Sequence, residues 1–193
     1  MRRKNFNTYC WFLAYVCLAL SCASASKRKS DQYYFANKEA LHDLKSAYDL
    51  LYDQQAFSAG FTDKSFRYYL MEVNTDTIRY IYDTERSEAQ LISSIARFGY
   101  DTALIRKFSR QLLELKCLWI SKASFYENGR KETVTYLSFR SASSGNVFVE
   151  NKYFILVFLP KAILSEEFKK RIKKGDLVRI EEDVYFTIGN KFR

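Results

Sequence analysis

CLWISKASFYENGRKETVTYLSFR, residues 117–140, decides the fold. Asn128-Gly129 is the preferred pair for a two-residue type I′ turn, and on either side lie runs rich in β-branched and aromatic residues, Cys117–Tyr126 and Lys131–Arg140. The stretch therefore predicts a β-hairpin. A two-residue loop sets Glu127 opposite Arg130, and counting back places Ile120 opposite Leu137 and Leu118 opposite Phe139 on one face. Trp119, Ser121, Ala123 and Phe125 then share the other face with Val134 and Tyr136. Both faces carry apolar side chains, so both are expected to be covered.

Working outward, Tyr153–Leu159 is apolar on both faces and reads as a central strand ended by Pro160, the single proline of the chain. Val147–Val149 adds a short strand after a polar loop over 141–145, and Leu177–Ile180 with Val184–Ile188 forms a last pair. Between them, Ser165 caps a helix that Gly175 closes. Upstream, Ala36–Phe57 predicts a helix capped by Asn37, with Leu41, Leu44, Tyr48 and Leu51 on one face. Ser65–Val73 is read as helix and Thr77–Tyr82 as strand. Ser87 opens a helix that stops at Gly99, and another starts near Asp101. Helices come first and strands later, without βαβ alternation. The fold class expected is α+β, with N-terminal helices packed on a mainly antiparallel sheet and a short C-terminal helix between strands.

The first 26 residues stand apart. Arg2, Arg3 and Lys4 form a positive start, Tyr9–Leu20 an apolar run, and 21–25 a small-residue zone, which together make an export leader. Leu18-Ala19-Leu20-Ser21-Cys22 resembles the lipobox of bacterial lipoproteins, departing from the usual pattern at Ala19 and Leu20. The resemblance covers the leader alone. It implies that Cys22 becomes the acylated first residue and that the protein is held on the envelope membrane by lipid, facing the periplasm. Cleavage after Ala25 would give a soluble secreted protein instead, and 6–25 left uncut is nearly long enough to serve as an anchor. The domain reading is a signal peptide over 1–21, a tether over 22–35 and one domain over 36–193. Of four cysteines only Cys22 and Cys117 lie past the leader, so no disulfide framework is available.

The formal charge is +9, and cleavage removes three bases and no acid. The remaining excess favours anionic surfaces without the signature of a nucleic-acid binder. Lys169, Lys170, Arg171, Lys173 and Lys174 crowd one short helix beyond what its dipole needs, and mark an expected contact with anionic lipid or an acidic envelope partner.

Catalytic chemistry has little to build on. His42 is the only histidine and has no ligand or orienting partner at useful spacing, so no metal site is read. Cys117 stands at the start of an apolar strand and reads as core. Six scattered glycines draw no phosphate-binding loop, and no cofactor is expected. Glu166 with Glu167, and Glu181-Glu182-Asp183, are the carboxylate groups that an acid/base pair would use, although a helix start and a turn explain them as well. Tyr33-Tyr34-Phe35, Tyr68-Tyr69 and Tyr80-Ile81-Tyr82 are aromatic clusters that either line a groove or fill the core. The leading expectation is a non-enzymatic envelope lipoprotein that binds another component. An envelope hydrolase built on His42 or on converging carboxylates is the second, and a soluble secreted or periplasmic binding protein the third.

Overall fold

The computed structural model describes residues 26–193 apart from 64, 77–78, 85–87, 128, 143–150, 161–164 and 191–193. The leader with Cys22, the Ser87 cap, the Val147–Val149 strand and the backbone of Asn128 lie outside these. The chain divides into two compact units, one through Ala36 and one from Asn37 onward. In the first, residues 26–36 are helical (α1), over most of the stretch read as a tether. They contain neither glycine nor proline, and the Ser30 hydroxyl donates to the Ser26 carbonyl at 3.1 Å.

The second unit is α+β. Helix α2 spans Lys38–Gln54, followed by β1 Phe57–Phe61, β2 Tyr69–Asn74, β3 Arg79–Thr84, α3 Glu88–Ile95 and α4 Thr102–Glu114. The C-terminal half runs β4 Trp119–Glu127, β5 Arg130–Ala142, β6 Lys152–Phe158, α5 Glu166–Lys174, β7 Val178–Glu181 and β8 Val184–Gly189. The eight strands form one sheet in the order β3-β2-β1-β4-β5-β6-β8-β7, every neighbouring pair antiparallel. The central hairpin has the expected register: Glu127 faces Arg130 and Ile120 faces Leu137, with Gly129 at φ 77°. Strand β6 lies between β5 and β8, as its two apolar faces require.

Alternation along the strands assigns the two faces. Phe57, Ile120, Leu137, Leu156 and Phe158 point to one side, where α2 buries Leu41, Leu44, Tyr48 and Leu51 and α4 buries Ile105, Phe108 and Leu112. The rings of Tyr48, Phe57 and Phe108 meet there at centroid distances of 5.0–5.8 Å. On the opposite face Val134, Ile155, Val157 and Tyr185 receive Phe168 of α5. Helix α5 is capped by the Ser165 hydroxyl and ended by Gly175 at φ 77°, and α4 is capped by Asp101, whose carboxylate accepts from the N–H groups of Ala103 and Leu104.

Two expectations for the N-terminal half fail. The helix over Ser65–Val73 is instead a turn leading into β2, and Phe57, read as the end of α2, opens β1. Tyr69–Val73 is buried on both faces, and such a short run has no period by which helix and strand can be told apart. Phe66 sits in the left-handed region at φ 54°, which bars a helix through it. The turn is built around Asp63, which accepts from the N–H groups of Ser65, Arg67 and Tyr68 at 2.8–3.1 Å. Desolvation opposes its charge, but these three donors and the Arg67 guanidinium outweigh it and hold the carboxyl below its usual range. Asn37, expected to cap α2, makes no capping hydrogen bond with its side chain.

Strand β1 carries no β-branched residue, and its glycine explains the choice. A Cβ on Gly60 would stand 2.0 Å from the Leu118 carbonyl oxygen and 2.6 Å from Trp119 Cα, both of them backbone atoms of the adjoining chain. Gly60→Ala is therefore expected to destabilise the protein by about 1–3 kcal/mol, read as a lower urea midpoint at unchanged m-value. A midpoint equal to that of the wild type would mean that β1 and β4 are not held this close.

Candidate functional site

Strands β1 and β4 are joined over only part of their length. Phe61 N–H donates to the Leu118 carbonyl at 2.6 Å, and Ala59 faces Ile120. Continuing that register, the next rung would join Phe57 to Lys122. There the Tyr48 hydroxyl of α2 intervenes: it donates to the Phe57 carbonyl at 2.6 Å and accepts from the Lys122 N–H. Burial above all, with Tyr52, Asp49 and Tyr100 adding to it, pushes this phenol well above its ordinary range. It remains a neutral donor at any physiological pH. One side-chain hydroxyl thus substitutes for a ladder hydrogen bond, and the two strands separate around it.

The Lys122 side chain follows Tyr48 onto the helical face. Only 8% exposed, its ammonium lies 2.7 Å from Asp49 Oδ1 and 4.5 Å from the centroid of the Tyr52 ring. Asp49 Oδ2 is held in turn by Lys45 at 2.6 Å. A lysine in the middle of a strand is retained by a carboxylate and an aromatic face supplied by α2.

On the other face the separation opens a cleft of about 410 Å³. Ser58 of β1 and Ser121 of β4 stand on its two sides, and Glu72 and Asn74 of β2 continue it. Phe57, Lys122 and the fully buried Trp119 complete the lining, Trp119 at the end where Gly60 brings the strands together. Glu72 is 7% exposed, and its carboxylate accepts from the Ser58 hydroxyl at 3.3 Å. Ser121 is directly opposite Tyr136 of β5, whose hydroxyl is bonded by the Arg171 side chain, so the cleft borders the part of the sheet that α5 covers. The closest pairing in the cleft is the Ser58 hydroxyl on the Glu72 carboxylate. The lining offers a carboxylate, two hydroxyls and an amide to a polar ligand.

The residues singled out from the sequence are distributed elsewhere. His42 is exposed on α2, its ring edge-on to Phe158 at 5.8 Å. Cys117 is fully buried, as expected of core. Glu166 pairs with Lys169 at 2.8 Å, which lowers the carboxyl and raises the amine, and Glu181 pairs with Lys38 at 2.6 Å. Glu167, Glu182 and Asp183 are exposed. None of these converges on the cleft. Among the described residues no group of three or more His, Cys, Asp or Glu side chains is placed to hold a metal, and no helix is long and apolar enough to cross a membrane.

The basic cluster of α5 is split by its packing. Lys170, Lys173 and Lys174 face outward, Lys169 is exposed but engaged by Glu166, and Arg171 is half-buried against Tyr136 and Phe168. Tyr69 lies in the core. Sequence reasoning missed Tyr48, Glu72 and Lys122 as partners. The available signal was a single charge in the interior of each of two strands, Glu72 in YLMEVN and Lys122 in WISKASFYE, whose only other charge is its terminal Glu127.

Tyr48→Phe keeps the ring and removes the bridge, leaving the Phe57 carbonyl and the Lys122 N–H to be satisfied anew. A loss of about 1–3 kcal/mol is expected, together with faster hydrogen exchange at the Lys122 amide. Unchanged stability with unchanged exchange would show that the hydroxyl does not hold the strands. No protein-family model, curated protein or solved structure matches the chain, so its function must be argued from these residues themselves.

Proposed function

We propose that this protein is an exported, lipid-anchored domain of the cell envelope that works by binding rather than by catalysis. The observation that carries the location is the leader, Arg2-Arg3-Lys4 followed by the apolar run and the lipobox-like end at Cys22. Binding is supported by the cleft where β1 and β4 part, lined by Ser58, Ser121, Glu72 and Asn74. The hydrolase alternative gains no support from the cleft, whose lining contains neither His42 nor the carboxylates of 166–167 and 181–183.

Acylation at Cys22 would confine the domain to the membrane surface. At that distance Lys170, Lys173 and Lys174 are of a kind to add attraction to anionic headgroups, each contributing about 1 kcal/mol where it reaches them. Arg171 contributes to packing instead, through Tyr136 and Phe168. A lipid surface fits this reading better than an acidic protein partner because the anchor itself supplies the proximity.

Two measurements test the proposal. Cys22→Ser is expected to release the protein from the membrane fraction or leave its leader uncut, and labelled fatty acid is expected to enter the wild-type chain; a wild-type protein that never takes up label is not a lipoprotein. For α5, the protein lacking residues 1–21 should bind anionic vesicles less well at physiological than at low salt, and replacing Lys170, Lys173 and Lys174 with Gln should weaken binding further. Equal binding by the triple variant would reduce the helix to a solubilising surface.

A further inference from the structure

We infer that α1 is an interfacial helix whose outward face, Arg28, Lys29, Gln32 and Phe35, lies against the headgroups of an anionic phospholipid membrane. The inference rests on the lipid-anchored reading above and deepens it, because it assigns membrane contact to a segment other than α5. Its first ground is free charge. Lys27, Arg28 and Lys29 are consecutive and all exposed. Among the described residues none of the three side chains makes an ion pair, whereas Lys45 is engaged by Asp49 and Lys169 by Glu166. The one acid of α1, Asp31, is half-buried, so three cations stand against a single carboxylate. Clustered positive charge without counter-charge is attracted to an anionic surface.

The second ground is the distribution of side chains around the helix. At 3.6 residues per turn Arg28, Gln32 and Phe35 fall on one side with Lys29 on its flank, and Ser30 and Tyr34 fall on the other. Burial follows the same division: Ser30 and Tyr34 are fully buried, while Phe35 is 57% exposed. A lone exposed phenylalanine needs no explanation. One that shares a helix face with two cations has the make-up of a helix lying in the membrane plane, with the ring at the acyl boundary and the basic side chains reaching the phosphates.

The third ground is reach. Lys27 follows Cys22 by five residues, and five residues span at most about 18 Å. An acyl chain on Cys22 therefore holds α1, itself about 16 Å long, at the bilayer surface. This selects lipid over an acidic protein, because an anchored molecule meets its own membrane at an effective concentration that no free partner equals.

The test places full-length protein on vesicles of phosphatidylcholine, alone or mixed with phosphatidylglycerol, with an environment-sensitive dye attached through Gln32→Cys and a quencher carried by the lipid. The native Cys117 is buried, which directs the dye to the exposed position. On the anionic vesicles the dye is expected to shift to the blue and to be quenched, less so in physiological salt and less so on phosphatidylcholine alone. Lys27→Gln, Arg28→Gln and Lys29→Gln together should weaken the contact about tenfold or more, since each basic residue near an anionic surface contributes about fivefold. Phe35→Ser, which leaves every charge in place, should reduce quenching and keep its salt dependence. A dye that stays in water on anionic vesicles overturns the inference, as does a response unaltered in the triple variant. A dye that ignores the vesicles but responds to polyglutamate also overturns it, and assigns the face to an acidic protein. Flotation with the vesicles and incorporation of labelled fatty acid report the anchor separately. Acylated protein that floats with its dye in water refutes the α1 contact and leaves the anchor standing, whereas protein without acyl label removes the anchor and the inference with it.

Discussion

The hydroxyl of Tyr48 occupies the place of a backbone hydrogen bond between β1 and β4, and the N-terminal half of the sheet is arranged around that exchange. A ladder rung satisfies a carbonyl and an N–H directly. Here the Phe57 carbonyl and the Lys122 N–H are satisfied through a phenol delivered by α2, which keeps both strands paired with something while holding them apart. The phenol can do so because burial keeps it protonated and because Phe57 and Phe108 fix its ring, the latter stacked on it at 5.8 Å. The same helix then holds Lys122 with Asp49 and Tyr52, so one face of α2 both meets the Phe57 carbonyl and takes up the charge of the strand's lysine.

This makes helix packing and cleft formation a single event. Leu41, Leu44 and Leu51 seat α2 on the sheet with Tyr48 among them, and the register of that docking decides where the wedge enters. Gly60 sets the opposite limit, since only a residue without Cβ lets β1 approach Leu118 and Trp119 so closely. The C-terminal half is built differently. There β5, β6 and β8 pair at length, α5 covers one face through Phe168, and the lysines that remain face outward. One half of the sheet is laddered at length and basic at its helix, and in the other β1 and β4 are paired only at Ala59 and Gly60.

What could be read directly from the residues was whatever depends on neighbours in sequence. Asn128-Gly129 with its flanking strands set the hairpin register down to Ile120 opposite Leu137, because a two-residue loop leaves no freedom in the count. Asp101, Ser165, Gly99 and Gly175 marked helix ends because caps act within one turn. The α+β class followed from the order of such elements. The proposed leader with its Cys22 is likewise a reading of adjacent residues alone, since export signals are linear.

What only the tertiary structure decided was every feature formed by residues far apart. Strand β1, five residues of FSAGF, has strand-favouring residues only at its two ends and depends on β2 and β4, which pair with it on either side. Strand β2 has apolar residues on both faces and no period, so its sequence fits a helix as well until β1 and β3 supply hydrogen bonds. The cleft joins Ser58, Glu72 and Ser121 across three strands, and no spacing in the sequence encodes that meeting. Nor does spacing reveal that Arg171 turns inward to Tyr136 while Lys170 and Lys173 face out. Local hydrogen-bonding preferences are carried by adjacent residues and survive in the bare sequence, whereas the exchange of one ladder bond for the hydroxyl of Tyr48 exists only once α2 has docked.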